Sequence, residues 1–152
     1  MPFDPMLLAD FAEREIREFA KHHRDETFYG FAVDASLLCL NSIEKFEATL
    51  TQYRKQRPGK YLDAASVVEL KMNTGDWEYQ GFSDFCGQRG WDEELYATHY
   101  EIGFEDETSP LLAKTDYALA IQAVLRELEK RQAFASLKHT DDFWVGSVGH
   151  GY

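Results

Sequence analysis

Residues 27–40 read TFYGFAVDASLLCL. Phe28, Tyr29, Phe31 and Val33 are the aromatic and β-branched types that suit a pleated, buried surface, so the first half reads as a strand. Gly30 inside it marks a bulge or a close packing contact. A short turn at Asp34–Ser36 leads into SLLCL (36–40), and two apolar runs this close predict an antiparallel hairpin.

The flanks of the hairpin are helical. Over residues 4–23, Leu8, Phe11, Ala12, Ile16, Phe19 and Ala20 recur at three- and four-residue spacing and form one apolar stripe. Asp4 suits the N-cap and Pro5 the first helical position. Lys21, His22, His23 and Arg24 complement the dipole at the far end. After the hairpin, Asn41 is the expected cap of a second helix, with Glu44 completing a capping box. Ile43, Phe46, Leu50 and Tyr53 share its inner face. The basic stretch RKQRPGKY (54–61) ends it with a Pro-Gly turn.

Beyond that loop, ASVVELKMN (65–73) alternates as a strand does, TGD (74–76) turns the chain, and WEYQGF (77–82) continues extended. That extension would place Trp77, Tyr79 and Gly81 on one side. WDEELYATHYE (91–101) reads as a short helix entered at Asp92, with Leu95, His99 and Ile102 inward, and FEDETSP (104–110) as a loop. Ser109 and Pro110 are expected to start a long helix to about Phe134, with Leu111, Ala118, Ile121, Leu125 and Leu128 along its core. DFWVGSVGHGY (142–152) closes the chain as a strand running into glycines. The expectation is one α+β domain over residues 1–152, a largely antiparallel sheet packed with three to four helices.

At 152 residues and 44% hydrophobic, with 14% aromatic residues, the chain is long and apolar enough to bury a core of its own. No run approaches bilayer-spanning length, and MPFDPMLLADFAERE lacks a basic n-region and cleavage site. Two distant cysteines, Cys39 and Cys86, read as free thiols in a reducing cytoplasm. The net charge of −11 argues against nucleic acid and anionic lipid as partners. The charge is uneven. Ten carboxylates (Asp76, Glu78, Asp84, Asp92, Glu93, Glu94, Glu101, Glu105, Asp106 and Glu107) face one cation, Arg89, between Lys71 and Lys114. Such a segment is a solvated face or a field that steers a cationic protein.

No catalytic or cofactor motif stands out. The five histidines make no HExxH and no zinc-like cluster with cysteine. HTDD (139–142) reads as a turn before the last strand. GSVGHG has no following helix to cradle a phosphate. No base is identifiable for Cys86 as a nucleophile. Trp77, Tyr79 and Trp91, inside the acidic segment, have two readings: core aromatics, or the centre of an interface with a charged rim.

The order of elements resembles a bacterial family of small cytoplasmic domains of unknown function that recurs among immunity-type proteins near polymorphic or contact-delivered toxins. It is similar in habit to the SUKH immunity group. The resemblance rests on ETFYGFAVD (26–34), NSIEKF (41–46), GDWEY (75–79), the long penultimate helix and DDFWV (141–145). The basic loop and the acidic stretch after Trp91 depart from it. What it implies is a binding protein, not an enzyme, that neutralises a cognate toxin, with no cofactor; the acidic segment makes the expected toxin a basic one. The partner-binding candidates are Asp76, Trp77, Glu78, Tyr79, Trp91, Asp92, Glu93, Glu94, Glu101, Glu105, Asp106 and Glu107. The alternative is a small-molecule-binding or enzymatic domain with a pocket near TGDWEY, lined by Trp77 and Tyr79.

Overall fold

The computed structural model describes residues 3–148. Its centre is the predicted hairpin, β1 (Phe28–Asp34) and β2 (Leu37–Ser42), with Phe31 opposite Leu40 and Val33 opposite Leu38. All seven residues of β1 are buried, because both faces of the sheet are covered. On one face lie Phe28, Phe31, Val33, Leu38 and Leu40, and on the other Tyr29, Ala32 and Cys39. Gly30 fills both of its expected roles. The β1 register shifts between Phe28 and Gly30, and a Cβ on Gly30 would stand 3.0 Å from the Trp77 ring. Ala35 turns the hairpin at φ 58°.

β3 (Tyr79–Asp84) pairs antiparallel with β2, and β4 (His139–Val148) pairs parallel with β1, giving the order β3-β2-β1-β4. The sheet is therefore mixed. HTDD, expected as a turn, lies within β4, since His139 already pairs with Phe28. The GHGY end of the expected glycine-rich tail lies outside the described residues.

The first face carries the larger core. α1 (Pro5–Lys21) is capped by Asp4, whose side chain accepts from the amides of Met6 and Leu7, and it buries Leu8, Ala9, Ala12, Ile16 and Ala20. α5 (Asp116–Lys130) packs beside it with Tyr117, Ala120, Ile121, Val124 and Leu128 buried. Arg131 ties the two together, donating to Asp10 at 2.6 Å, Glu13 at 3.4 Å and Glu127 at 2.9 Å. The single long helix expected from Ser109 is divided. Pro110–Lys114 forms a 3-10 turn, and Thr115 caps α5 by accepting from the Ala118 amide. Leu111 consequently leaves the expected core stripe and is exposed.

The second face is covered by α2 (Ile43–Gln56) and α3 (Ala64–Met72). The cap of α2 is Ser42, which accepts from the Lys45 amide, and not Asn41. Asn41 is a buried strand residue that donates to the Tyr29 hydroxyl and accepts from the Glu78 amide. Glu44 accepts from the Thr27 amide instead of closing a capping box. Residues 64–72 are a helix and not the expected strand. Asp63 caps it by accepting from the Ser66 amide, and Ala, Glu, Leu, Lys and Met outweigh two adjacent valines. The whole is one α+β domain. No helix among the described residues is long and apolar enough to cross a membrane.

Candidate functional site

The acidic segment is divided by the fold into three places. The first, around TGD and β3, is largely structural. Trp77 is buried; its indole N–H donates to the Lys71 carbonyl at 2.8 Å, and its ring meets those of Tyr29 and Trp144 edge-on. The Tyr29 hydroxyl donates to the same carbonyl at 2.7 Å, so two aromatic donors secure the end of α3. The Asp76 carboxylate receives the Tyr53 hydroxyl and the Asn73 amide, each at 2.7 Å. Glu78 is exposed.

Tyr79 turns to the opposite face from Trp77, not to the same side as the alternation implied. Trp77 precedes the strand, and a bulge near Gly81 (φ 72°) then brings Tyr79 and Phe82 to one face. The Tyr79 hydroxyl donates to Glu26 at 2.6 Å, and Glu26 also meets Ser42 Oγ at 2.7 Å and His23 Nδ1 at 3.1 Å. Burial opposes ionisation of Glu26, but the bonds from Tyr79, Ser42 and His23 prevail and hold its carboxyl below the usual range. Burial and then the Glu26 carboxylate push the Tyr79 hydroxyl upward. This network joins the end of α1, β2 and β3.

The second place is the entry to α4 (Glu93–Glu105). Trp91 is packed against Phe3, Phe85, Tyr96 and Tyr117 with ring centroids 5.1–6.1 Å apart, and its indole N–H donates to Glu93 at 2.8 Å. Trp91 is thus a half-buried aromatic packed on the core with a polar tip, and not the centre of an exposed patch. Asp92 is the N-cap, accepting from the Leu95 amide at 2.8 Å. Cys86 is exposed, 3.6 Å from Glu93; burial and that carboxylate raise its thiol pKa, the reverse of an activated nucleophile.

The third place is the outer face of α4. Glu94, Ala97, Glu101, Phe104 and Glu105 are all exposed and follow helical spacing. Ala97, Tyr100, Glu101, Phe104 and Glu105 line one shallow groove. Phe104 is 82% exposed, the most exposed of the large apolar side chains described. Glu105, Asp106 and Glu107 crowd the C-terminal end, where the helix dipole favours cations, and the last turn of α4 carries no basic residue. Asp106 accepts from the Thr108 hydroxyl and amide, which lower its pKa.

The structure therefore brings Glu101 and Glu105 beside an aromatic that the sequence assigned to a loop, with Asp106 and Glu107 following where the helix ends. Asp76–Tyr79 do not line that groove, and Glu101 and Glu105 stand roughly 12–20 Å of helix from Asp92 and Glu93. Phe104 is legible once α4 is extended to residue 105, because it falls off the inward Leu95/His99/Ile102 stripe. No group of three or more His, Cys, Asp or Glu among the described residues is placed to hold a metal ion.

Sheet, helices and acidic helix face together define a small α+β protein with helices on both sides of a mixed sheet. The chain belongs to the family Domain of unknown function (DUF4303), whose sequence model matches residues 8–150. No curated protein and no solved structure matches it.

Proposed function

We propose that this protein is an immunity-type binding protein of the cytoplasm that neutralises a cognate, basic bacterial toxin by direct contact. The observation that carries the reading is Phe104, 82% exposed on a helix face beside Glu101 and Glu105, with Asp106 and Glu107 just past the helix end. An aromatic centre with a charged rim is the usual anatomy of a protein interface. The carboxylates at the C-terminal end of α4 oppose the helix dipole in the free protein, and a cationic partner would relieve that repulsion. The field of the −11 chain would speed its arrival, while Phe104 and the groove beside it would supply the desolvated contact.

Affinity capture at low and moderate salt, followed by rescue of cells producing the captured protein, tests this reading. The expected result is one stoichiometric basic partner, released by salt, whose toxicity the protein suppresses. Capture and rescue should both fail in a Phe104→Ala/Glu101→Lys/Glu105→Lys variant of unchanged melting temperature. Capture and rescue undiminished in that variant would overturn it.

A further inference from the structure

The pocket near TGD takes neither of its expected aromatics: Asp76 lines it, and Trp77 and Tyr79 do not. An aromatic surface stands open instead on α4.

A helix with one neighbour needs one apolar stripe, and a helix with apolar residues on two sides is built to lie between neighbours. α4 is of the second kind. Leu95 and Tyr96 pack on the core, and His99 and Gly103 are buried. At 3.6 residues per turn, Ala97 and Phe104 fall on roughly the opposite side. Tyr100 lies between the two stripes, its ring 4.7 Å from that of Tyr96. Ala97, Tyr100, Glu101, Phe104 and Glu105 line the shallow groove of the second stripe. Ala97, Glu101, Phe104 and Glu105 are all exposed, so no element among the described residues covers it.

Spacing says what shape fits. Ala97, Tyr100 and Phe104 are three and then four residues apart, as the two apolar positions of a coiled-coil heptad are. In that register Glu94 and Glu101 share one flanking position, where paired helices carry the charges that choose a partner. Ala97 is small and lets a second helix come close. Charge then selects the partner. A second copy would set these glutamates against their own kind, so the fit is to a helix with Lys or Arg along its flanks. Direction follows from the dipole. Glu105, Asp106 and Glu107 stand at the C-terminal end of α4, whose last turn has no basic residue. The positive N-terminal end of a partner helix is favoured there, which makes the pair antiparallel.

We infer that α4 takes a cationic amphipathic helix of a partner protein, lying antiparallel to it with its apolar stripe on Ala97, Tyr100 and Phe104. The inference deepens the reading above, since it rests on the same face, and names the element of the basic partner that lies there.

Calorimetric titration with an end-blocked peptide of three Lys-Leu-Ala-Gln-Leu-Lys-Gln repeats tests it at moderate salt. The leucines supply the stripe, and the flanking lysines repel one another and keep the peptide monomeric. Saturable 1:1 binding with a gain of helical circular dichroism is expected. It should weaken about tenfold in Phe104→Ala, in Ala97→Gln, and for a peptide of the same composition with the stripe shuffled. Both substitutions are at exposed helix positions, so melting temperatures should hold. Glu47→Gln/Glu69→Gln removes two exposed carboxylates elsewhere and should bind as the parent does, which separates the groove from diffuse attraction to an acidic protein. A nitroxide at the peptide N-terminus should broaden the amide signals of residues 104–108 more than those of 93–97. Peptide binding of this kind beside a failed toxin rescue would overturn the immunity reading and leave the helix site standing. Toxin capture lost in the Phe104→Ala/Glu101→Lys/Glu105→Lys variant, with no peptide binding, would overturn the helix site alone. Equal binding of the shuffled peptide, binding unaffected by Phe104→Ala and Ala97→Gln, or the opposite broadening pattern would overturn it too. So would a concentration-dependent dimer of the protein that Phe104→Ala abolishes, which would assign the groove to a second copy.

Discussion

Trp77 and Phe104 lie in the same acidic segment, and their surroundings in the sequence are alike. Trp77 stands between Asp76 and Glu78, and Phe104 precedes Glu105. Yet Trp77 is 4% exposed and Phe104 is 82% exposed. Trp77 lands over Gly30, the one position in β1 with room for an indole, and its N–H finds the Lys71 carbonyl at the end of α3. Phe104 stands in a shallow groove on α4 that leaves its ring in solvent. Local charge therefore does not decide which aromatic serves the core and which is left to meet a partner. A complementary gap on the neighbouring element does.

The comparison breaks most readily at Trp77. Trp77→Ala should cost about 3–5 kcal/mol in chemical denaturation, from lost packing and the cavity left behind. A cost below about 1 kcal/mol would mean that the second face collapses around the gap, and that Trp77 is not what holds α3.

Tyr79 is intermediate. Tyr79→Phe removes a 2.6 Å hydrogen bond to the Glu26 carboxylate and should cost about 1.5 kcal/mol. The Glu26 pKa should rise at the same time, readable by carboxyl NMR titration. A stability loss with no movement of Glu26 would place the effect in packing alone.

Acid should act in two steps. His99 is buried, and burial holds its pKa below the ordinary 6.5, so the unfolded chain takes up the proton first. Its contribution is whole above pH 6.5 and declines as pH falls below that value towards the folded pKa. Glu26, whose folded pKa lies below 4.5, contributes above pH 4.5 and loses that contribution as pH falls through its folded value. A pH series of melting temperatures should show the first step vanish in His99→Gln while the second persists.

The smallest expected effect is at Phe104. Phe104→Ala should change stability by no more than about 0.5 kcal/mol, because its ring covers little of the core. A larger loss would show that Phe104 packs on its own protein in solution, and would leave the acidic groove without its aromatic centre.

Much of the fold was legible along the chain. The 3.6-residue stripe of α1, the Asp4 cap, the β1–β2 hairpin and the Asp92 start of α4 all rest on contacts between near neighbours. The readings that failed depend on distant partners. Val67 and Val68 suggested a strand, but residues 64–72 have no strand to pair with, and the Asp63 cap carries them into a helix. Asn41 looked like a cap, but Tyr29 and the Glu78 amide claim its side chain within the sheet. The candidate site was legible as charge and not as shape. Its carboxylates were identifiable, and its exposed aromatic was not.

By itself, then, the sequence determined the class of the fold, its acidity and the hairpin at its centre. Periodicity, capping and net charge are properties of short or summed stretches, and they survive without a partner. Tertiary structure alone decided that β4 joins β1 in parallel, that Trp77 and Tyr79 part to opposite faces, and that Phe104 is left outside. Each of those outcomes depends on which surface reaches a side chain first across tens of residues, and burial free energy is set by that meeting rather than by the residue's neighbours in the chain.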